Sequence, residues 1–381
     1  MPTLKNKTIL ILSPQAWGTM FVSKHHYAVE LAKRGNEVFF LNPPTQSVNN
    51  NNKSIVISAS GIHPKLFLID QNIYFPYRLK YHALPVFHWL MKFHIKKLIR
   101  TISRPVDIIW SFDLGYLYPL RFFGRQTYKI FHPVDEPLNQ RAIDAAKGAN
   151  VIISVTHEIL SKYNSYPVPT HFINHGVTDN FLANGRHTTS KIGNSIRIGF
   201  SGNLLRNDID RDVLVKIIKQ NPGCQFECWG SYTLEQTNIG GAGDESTILF
   251  IETLKQQPNT ILHGAVSSSD LAIEIQRMEA FLICYDVQKD QSKGTNYHKV
   301  MEYLSTGKVI ISNNITTYSK QSELVQMVSE RDSNGSLPVL FNTVINHLAD
   351  HNADELQAKR INFARSNTYP KQIERIENLL T

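Results

Sequence analysis

The sequence predicts an α/β protein built from two doubly wound, parallel-sheet domains. Three observations predict it. The chain has 381 residues, too many for one ordinary domain and suited to two of about 150–200 residues. Short apolar runs alternate with helical periodicity from the N-terminus onward, as a parallel sheet with crossover helices requires. A polar, glycine-containing stretch at 183–195 interrupts the alternation, which starts again at Ile196. These signals divide the chain into a domain at 1–182, a linker at 183–195, a domain at 196–365 and a terminal helix at 366–381 that can cross back to the first domain.

The elements follow in order. Thr8-Ile9-Leu10-Ile11-Leu12 is a continuous apolar run, the signature of a strand buried on both faces. Ser23 reads as the cap of a helix whose apolar stripe includes Tyr27, Ala28, Leu31 and Ala32, and Gly35 stops it. Glu37 to Leu41 is the next strand, ended by Pro43-Pro44. This βαβ opening implies a right-handed crossover. After the asparagine-rich loop Asn49 to Asn52, strands are expected at 54–58, 106–111, 127–131, 150–154 and 170–174, with helices at 85–103, 138–147 and 157–163. In the second half, strands at 196–200, 224–229, 260–263, 280–284 and 308–312 alternate with helices at 210–220, 245–256, 268–277 and 297–306. The tail from 338 to 380 is mostly helical. Ligands of such sheets bind at the carboxyl ends of the strands, and two sheets side by side are expected to share one cleft, as a reaction between two bound molecules requires.

Composition narrows the class. Apolar residues make up 42% and charged residues 19%, a globular balance that excludes general disorder. The net charge of +8 is uneven: residues 1–180 hold 20 basic and 10 acidic side chains, and the remainder 20 and 22. The first half therefore faces an anionic partner or surface. Three cysteines, Cys224, Cys228 and Cys284, build no disulfide framework and fit a reducing cytosol. Cys224 and Cys228 could pair on a metal, but no second ligand pair with zinc-like spacing appears. The N-terminus has no signal-peptide anatomy, and no window is apolar enough to span a membrane. Gly240-Gly241-Ala242-Gly243-Asp244 lacks the Gly-Lys-Ser/Thr ending of a P-loop and reads as a connector.

The most informative segment is Gly294-Thr295-Asn296-Tyr297-His298-Lys299-Val300-Met301-Glu302-Tyr303-Leu304-Ser305-Thr306-Gly307-Lys308-Val309-Ile310-Ile311-Ser312. Thr295 or Asn296 can cap a helix that carries Lys299 in its first turn and Glu302 on the same face. A helix start with an added lysine is a phosphate site, and a carboxylate one turn on can accept bonds from two ribose hydroxyls. The competing reading is a surface Lys–Glu pair.

This segment resembles the nucleotide-sugar signature of GT-B glycosyltransferases, above all glycosyltransferase family 4, in which a Pro-x-Lys-x-x-Glu-Tyr-Leu-Ala-x-Gly-Lys-Pro-Val-Val stretch recurs. Four further landmarks stand in the family's order: Trp17 to His26 with Ala28 to Val38, His171-Phe172-Ile173-Asn174-His175-Gly176-Val177, Ile198-Gly199-Phe200-Ser201-Gly202-Asn203-Leu204, and Asn259-Thr260-Ile261-Leu262-His263-Gly264-Ala265-Val266. The resemblance covers nearly the whole chain. It implies the GT-B fold, two Rossmann-like domains facing a cleft, and transfer of a sugar from a nucleotide-diphosphate donor with retention of configuration, without a metal or other cofactor. It implies donor-binding roles for Gly202, Arg206, Gly264, Asn296, Lys299 and Glu302: Glu302 holds the ribose, Lys299 and Arg206 (or Arg211) neutralise the departing diphosphate, and Gly202 lets the backbone approach the phosphates. The family's acidic residue eight positions before the ribose glutamate falls on Gly294, and its Gly-Arg-Leu phosphate loop reads Gly202-Asn203-Leu204.

In the first domain, Lys129-Ile130-Phe131-His132-Pro133-Val134-Asp135-Glu136 ends a strand where the family often has a histidine or an acid near the acceptor. His132 and Asp135 are the candidates for binding or deprotonating the acceptor hydroxyl, against a packing role for His132 and a helix-capping role for Asp135. Asp113 is a weaker candidate of the same kind. Residues 71–106 contain no acid. They set Arg78, Lys80, Lys92, Lys96, Lys97, Arg100 and Arg104 among Tyr74, Phe75, Tyr77, Tyr81, Phe87, Trp89 and Phe93. Basic heads beside aromatic bodies suit an anionic lipid interface, so Lys92, Lys96 and Lys97 are candidates for contact with a membrane or a lipid-linked acceptor. The competing reading is an amphipathic helix with a solvated basic face; no nucleic-acid-binding motif accompanies the stretch.

The expected activity is sugar transfer to a surface-polysaccharide or lipid-linked glycan, in the cytoplasm or peripherally on the inner face of the membrane. The rivals are an epimerase or hydrolase on the same fold and a degenerate subunit that binds nucleotide-sugar without turnover.

Overall fold

A computed structural model describes residues 3–18, 21–45, 55–183, 195–234, 243–290 and 293–380. The asparagine-rich loop, residues 240–242 and all of the expected linker except its two ends lie outside the described residues. The chain forms two compact units, residues 1–174 with 369–381 and residues 175–368. The division falls before the helix Asp179–Ala183, which the sequence reading had assigned to the first domain, and after Thr368 rather than at 365.

The first unit holds an eight-stranded sheet: β1 (Thr8–Leu12), β2 (Glu37–Leu41), β3 (Ile55–Ala59), β4 (Leu66–Gln71), β5 (Ile108–Ser111), β6 (Tyr128–Phe131), β7 (Val151–Ser154) and β8 (Thr170–Phe172). Its order is β3-β4-β2-β1-β5-β6-β7-β8. All neighbours are parallel except β3 and β4, an antiparallel hairpin in which Ile57 pairs with Ile69. The sequence reading missed β4 and expected a wholly parallel sheet. A two-stranded hairpin needs no crossover helix to announce it, and Ile55 is buried while Val56 is exposed on this edge strand. The direction of strand addition reverses between β1 and β5.

The second unit holds β9 (Ile196–Ser201), β10 (Cys224–Trp229), β11 (Thr260–Gly264), β12 (Ala280–Ile283), β13 (Val309–Ser312) and β14 (Gln326–Met327), in the order β11-β10-β9-β12-β13-β14. Every neighbouring pair is parallel. This is the doubly wound order, and it reverses between β9 and β12, the place where such sheets bind ligands. Central strands such as β12 and β13 are buried throughout, which is why they read as unbroken apolar runs.

Capping differs in detail from expectation. Val22, not Ser23, caps the helix Ser23–Lys33; its amide donates to His25 Nδ1 at 3.1 Å, so an imidazole does the work of the usual acidic partner. The helix Leu84–Ile102 ends on Ser103 in the left-handed region, at φ 60°. The terminal helix Tyr369–Leu380 belongs to the first unit.

Candidate functional site

In the second unit three glycines follow one another across the carboxyl ends of adjacent strands. Gly202 follows β9, Gly230 follows β10 and Gly264 closes β11, all with positive φ. Their backbones are tied: Gly202 N donates to Trp229 O at 2.8 Å and Gly230 N to Gly264 O at 2.8 Å. A methyl on Gly202 would stand 2.6 Å from Lys299 Nζ and 3.0 Å from the Tyr285 hydroxyl. Position 202 must therefore be bare for the lysine to pass.

Lys299 opens the helix Lys299–Leu304. That helix begins at His298, not at a Thr295 or Asn296 cap, and spans only six residues, so its dipole is a minor contributor. The lysine is 6% exposed. Its ammonium donates to Ser201 O at 2.5 Å and to the Tyr285 hydroxyl, and sits 4.7 Å from the Tyr285 ring centre. Ser201 ends β9 and Tyr285 follows β12, so the cation stands at the sheet reversal. Among the described residues no carboxylate lies within 4.0 Å of it. A buried cation without an acid beside it is costly until an anion arrives.

Tyr303 holds this helix in place. Its hydroxyl accepts from Ser201 N at 2.7 Å and meets Ser201 Oγ at 2.9 Å, and its ring stacks on Phe281 at 4.1 Å. The adjacent Glu302 is half-buried, and among the described residues its carboxylate has no hydrogen-bond or ion-pair partner. Burial pushes its carboxyl up to about 7, against the pull of the Lys299 charge. The Lys299–Glu302 pair is thus not a solvated surface pair: one member is buried and the other is unspent.

Arg206 reaches the same place with its charge already answered. It forms a double hydrogen bond to Asp208, lies 3.6 Å from Asp290, and its guanidinium stands 5.6 Å from the Tyr285 ring centre. Arg211 turns elsewhere, to Ser246 and Thr247. Asn296 is buried in the turn before the helix. Gly294 has φ 62°, and a Cβ there would stand 2.8 Å from Asn314 O. A side chain at that position would press on the Asn314 carbonyl. The acid of this turn is Asp290, fully buried, which accepts from Gly294 N at 3.0 Å and from the Tyr297 hydroxyl at 2.7 Å.

In the first unit His132 is fully buried. Its Nδ1 accepts from Trp110 Nε1 at 3.2 Å, and its ring stacks on Phe112 at 4.8 Å with Tyr27 at its edge. These ring contacts are those of an aromatic core and fit the packing role that the sequence left open beside the acceptor role. Asp135 remains half-exposed. Sequence reasoning overlooked its neighbour Lys24, which is buried, donates to Gln15 and lies 5.7 Å from the Phe112 ring centre. Burial lowers the Lys24 ammonium to about 8, with Asp135 pulling the other way. Tyr285 and Tyr303 were overlooked too; only Tyr303 had a signal, as the residue after the signature glutamate.

Lys92, Lys96 and Lys97 are exposed on the helix Leu84–Ile102, beside Trp89 at 59% and Phe93 at 45% exposure. Its other face buries Phe87, Met91, Ile95 and Leu98. No described helix is long and apolar enough to cross a membrane. Among the described residues no group of three or more His, Cys, Asp or Glu could hold a metal ion, and Cys224 and Cys228 are buried thiols pushed up to about 11 and about 12.

No protein-family model matches the chain, and no curated protein does. Solved structures do. Sucrose-phosphate synthase from Thermosynechococcus elongatus superposes with a TM-score of 0.72 at 11% identity, over 98% of each chain. HepE from Anabaena, in complex with UDP and glucose, superposes at 0.66 and 12% identity, over 98% of this chain and 99% of that one. The α,α-trehalose 6-phosphate synthase of Burkholderia multivorans gives 0.67 at 12%, over 99% and 96%. The fold is that of the GT-B glycosyltransferases. Two Rossmann-like units, each with a strand order that reverses beside its first strand, are what a GT-B chain is made of, and both expected sheets are present.

Proposed function

We propose that the protein transfers a sugar from a nucleotide-diphosphate sugar to a hydroxyl of a glycan or lipid-linked acceptor. One observation carries the reading: Lys299, a buried cation with no carboxylate within 4.0 Å among the described residues, stands at the sheet reversal of the second unit, one helical turn from Glu302, whose carboxylate has no hydrogen-bond or ion-pair partner among them. A diphosphate answers the first and a ribose diol the second. As the bond from the anomeric carbon to the diphosphate breaks, negative charge grows on the leaving oxygen, and Lys299 stabilises it. Arg206 assists once the ligand competes with Asp208. Gly202 and Gly264 keep the strand ends bare, and Asn296 lines the turn that presents Lys299. The acceptor oxygen forms the new bond on the same face, which retains configuration without a protein nucleophile, and its proton passes to Asp135 or to the leaving phosphate. Positive charge from side chains takes the place of a metal ion.

UDP complexed with HepE, a protein of this fold, supports the donor class. The exposed Trp89 and Phe93 among Lys92, Lys96 and Lys97 support a peripheral site on the cytoplasmic face of an anionic membrane, where a lipid-linked acceptor is presented.

Thermal melting against UDP-, GDP- and other nucleotide sugars tests the donor. A ligand at a hundred times its Kd adds about 2.7 kcal/mol, a shift that Lys299→Ala and Glu302→Ala are expected to abolish while the fold persists. Donor binding and turnover unchanged in both variants would overturn the reading. The absence of an acid at Gly294 favours one rival, a subunit that binds donor without turnover; donor binding with no transfer across a panel of glycan acceptors would decide for it.

A further inference from the structure

Tyr285 follows β12 by two positions and is 3% exposed. Both of its backbone groups are held by buried asparagine side chains from distant parts of the chain. Its N–H donates to Asn313 Oδ1 at 3.0 Å, and its carbonyl accepts from Asn334 Nδ2 at 2.9 Å. The segment that follows Arg206 runs beside it: Ile209 forms an antiparallel bridge to Tyr285, Asp210 N donates to Cys284 O at 3.1 Å, and Asp286 N donates to Asp208 O at 2.8 Å. The ring packs against that of Tyr297, with centres 5.0 Å apart. A backbone and a ring held in this way fix where the hydroxyl stands.

That place is beside the buried cation. The hydroxyl accepts from Lys299 Nζ, and among the described residues its own proton has no acceptor. An ammonium has three protons to give. Lys299 gives one to Ser201 O at 2.5 Å and one to Tyr285, and among the described residues the third has no acceptor. The two spare protons are therefore neighbours. Both of the atoms that carry them lie against Gly202, which is half-exposed. A buried O–H without an acceptor is costly to keep, and this one is kept by two asparagines that hold its backbone in place.

We propose that Tyr285 is a further binding residue of the donor site: its hydroxyl accepts a hydrogen bond from Lys299 and donates one to a phosphoryl oxygen of the diphosphate. The ammonium polarises the phenol, which makes its O–H a better donor. A cation is repelled by Lys299, whereas an anionic oxygen that reaches Gly202 answers both spare protons with charge-assisted bonds. As a contact to the leaving group of a sugar transfer, this assignment rests on the transferase reading; as a contact to a bound phosphoanhydride, it does not.

Calorimetric titration of the full chain with inorganic pyrophosphate tests the proposal without assuming a base or a sugar. Tyr285→Phe keeps the ring and removes only the hydroxyl. It is expected to weaken pyrophosphate binding about tenfold or more, the usual worth of a hydrogen bond to a charged group, while the ligand-free chain melts within about 3 °C of the unaltered one. Tyr285→3-fluorotyrosine separates donation to the ligand from simple support of Lys299, because a more acidic phenol donates better and accepts worse. At about pH 6.5, well below the range in which a phenol ionises, it is expected to bind pyrophosphate at least as tightly as the unaltered chain. If Tyr285→Phe melts earlier than that limit, the fluorotyrosine chain alone decides. Pyrophosphate binding that is lost in Lys299→Ala and unchanged in Tyr285→Phe overturns the role of Tyr285 and leaves the transferase reading intact. A fluorotyrosine chain that binds as weakly as Tyr285→Phe overturns it also, since the hydroxyl then serves Lys299 alone. Pyrophosphate bound through Tyr285, with no nucleotide sugar stabilising the chain, sinks the transferase reading and leaves the anion contact standing. No pyrophosphate binding by the unaltered chain sinks both.

Discussion

Burial pushes the Glu302 carboxyl up to about 7, so its ionisation falls near neutral pH. The folded chain holds this proton more tightly than the unfolded chain, whose glutamate titrates near 4.5. Stability from this group is therefore fully present below about 4.5 and lost as pH rises through about 7. Donor binding runs the opposite way, because ribose hydroxyls donate to an ionised carboxylate. The Kd of UDP-glucose, whose phosphates do not titrate in this window, is expected to fall as pH rises from about 6 to about 8, following the Glu302 ionisation. Calorimetric titration at a series of pH values checks this. Glu302→Gln is expected to flatten the profile and weaken binding about tenfold or more, the usual worth of a hydrogen bond to a charged group; a profile unchanged in that variant would remove Glu302 from the donor site. Gly202→Ala acts through its neighbour. Its methyl would meet Lys299 Nζ at 2.6 Å on a backbone conformation that L-residues avoid, so melting temperature and donor affinity should drop together, whereas Gly223→Ala, in open space, should change neither.

Elements place these residues, and here the sequence was informative unevenly. Most strands and helices of the second unit were legible because each is a local pattern: β12 and β13 are unbroken apolar runs, and the helix Arg211–Gln220 carries Leu214, Ile217 and Ile218 at helical spacing, whereas the two-residue β14 and the short helix Asp179–Ala183 are too brief to carry one. The signature around Lys299 was legible as a motif. What holds it was not. Tyr303 reaches Ser201 across 102 positions and Lys299 reaches Ser201 across 98, and contacts at that separation leave no local trace. The same limit hides the surroundings of His132, whose burial comes from Trp110 and Phe112 on a neighbouring strand and its continuation. The helix Leu84–Ile102 shows the reverse case: its buried stripe takes in Phe87, while Trp89 and Phe93 stay exposed beside three lysines. Each lysine near an anionic surface contributes about 1 kcal/mol. Changing Lys92, Lys96 and Lys97 together to Gln should thus weaken co-sedimentation with phosphatidylserine vesicles by about a hundredfold, at about 1.4 kcal/mol per tenfold. Equal co-sedimentation of the variant would reduce this face to a solvated helix.

At the scale of the molecule, the last stretch of the chain completes the first unit rather than the second. The helix Tyr369–Leu380 buries Tyr369, Ile373, Ile376 and Leu380 in the same core as Leu4, Ile9, Tyr27 and Trp110. Glu377 accepts from Leu4 N at 2.8 Å and pairs with Arg34 at 2.5 Å, so chain start, first helix and last helix are bound in one place. Each of the four side chains is worth about 1.5–3 kcal/mol of burial. Their sum rivals the whole stability of a typical domain, about 5–15 kcal/mol. Truncation after Thr368 should therefore unfold the first unit while residues 175–368, with their own core and the Lys299 site, keep theirs. Calorimetry is expected to show one early transition lost and one retained in the truncated chain, and UDP should still raise the retained transition. Loss of both transitions, or of the UDP shift alone, would mean that the second unit draws its stability or its donor site from the first, and that the two sheets are not independent in the way their separate cores require.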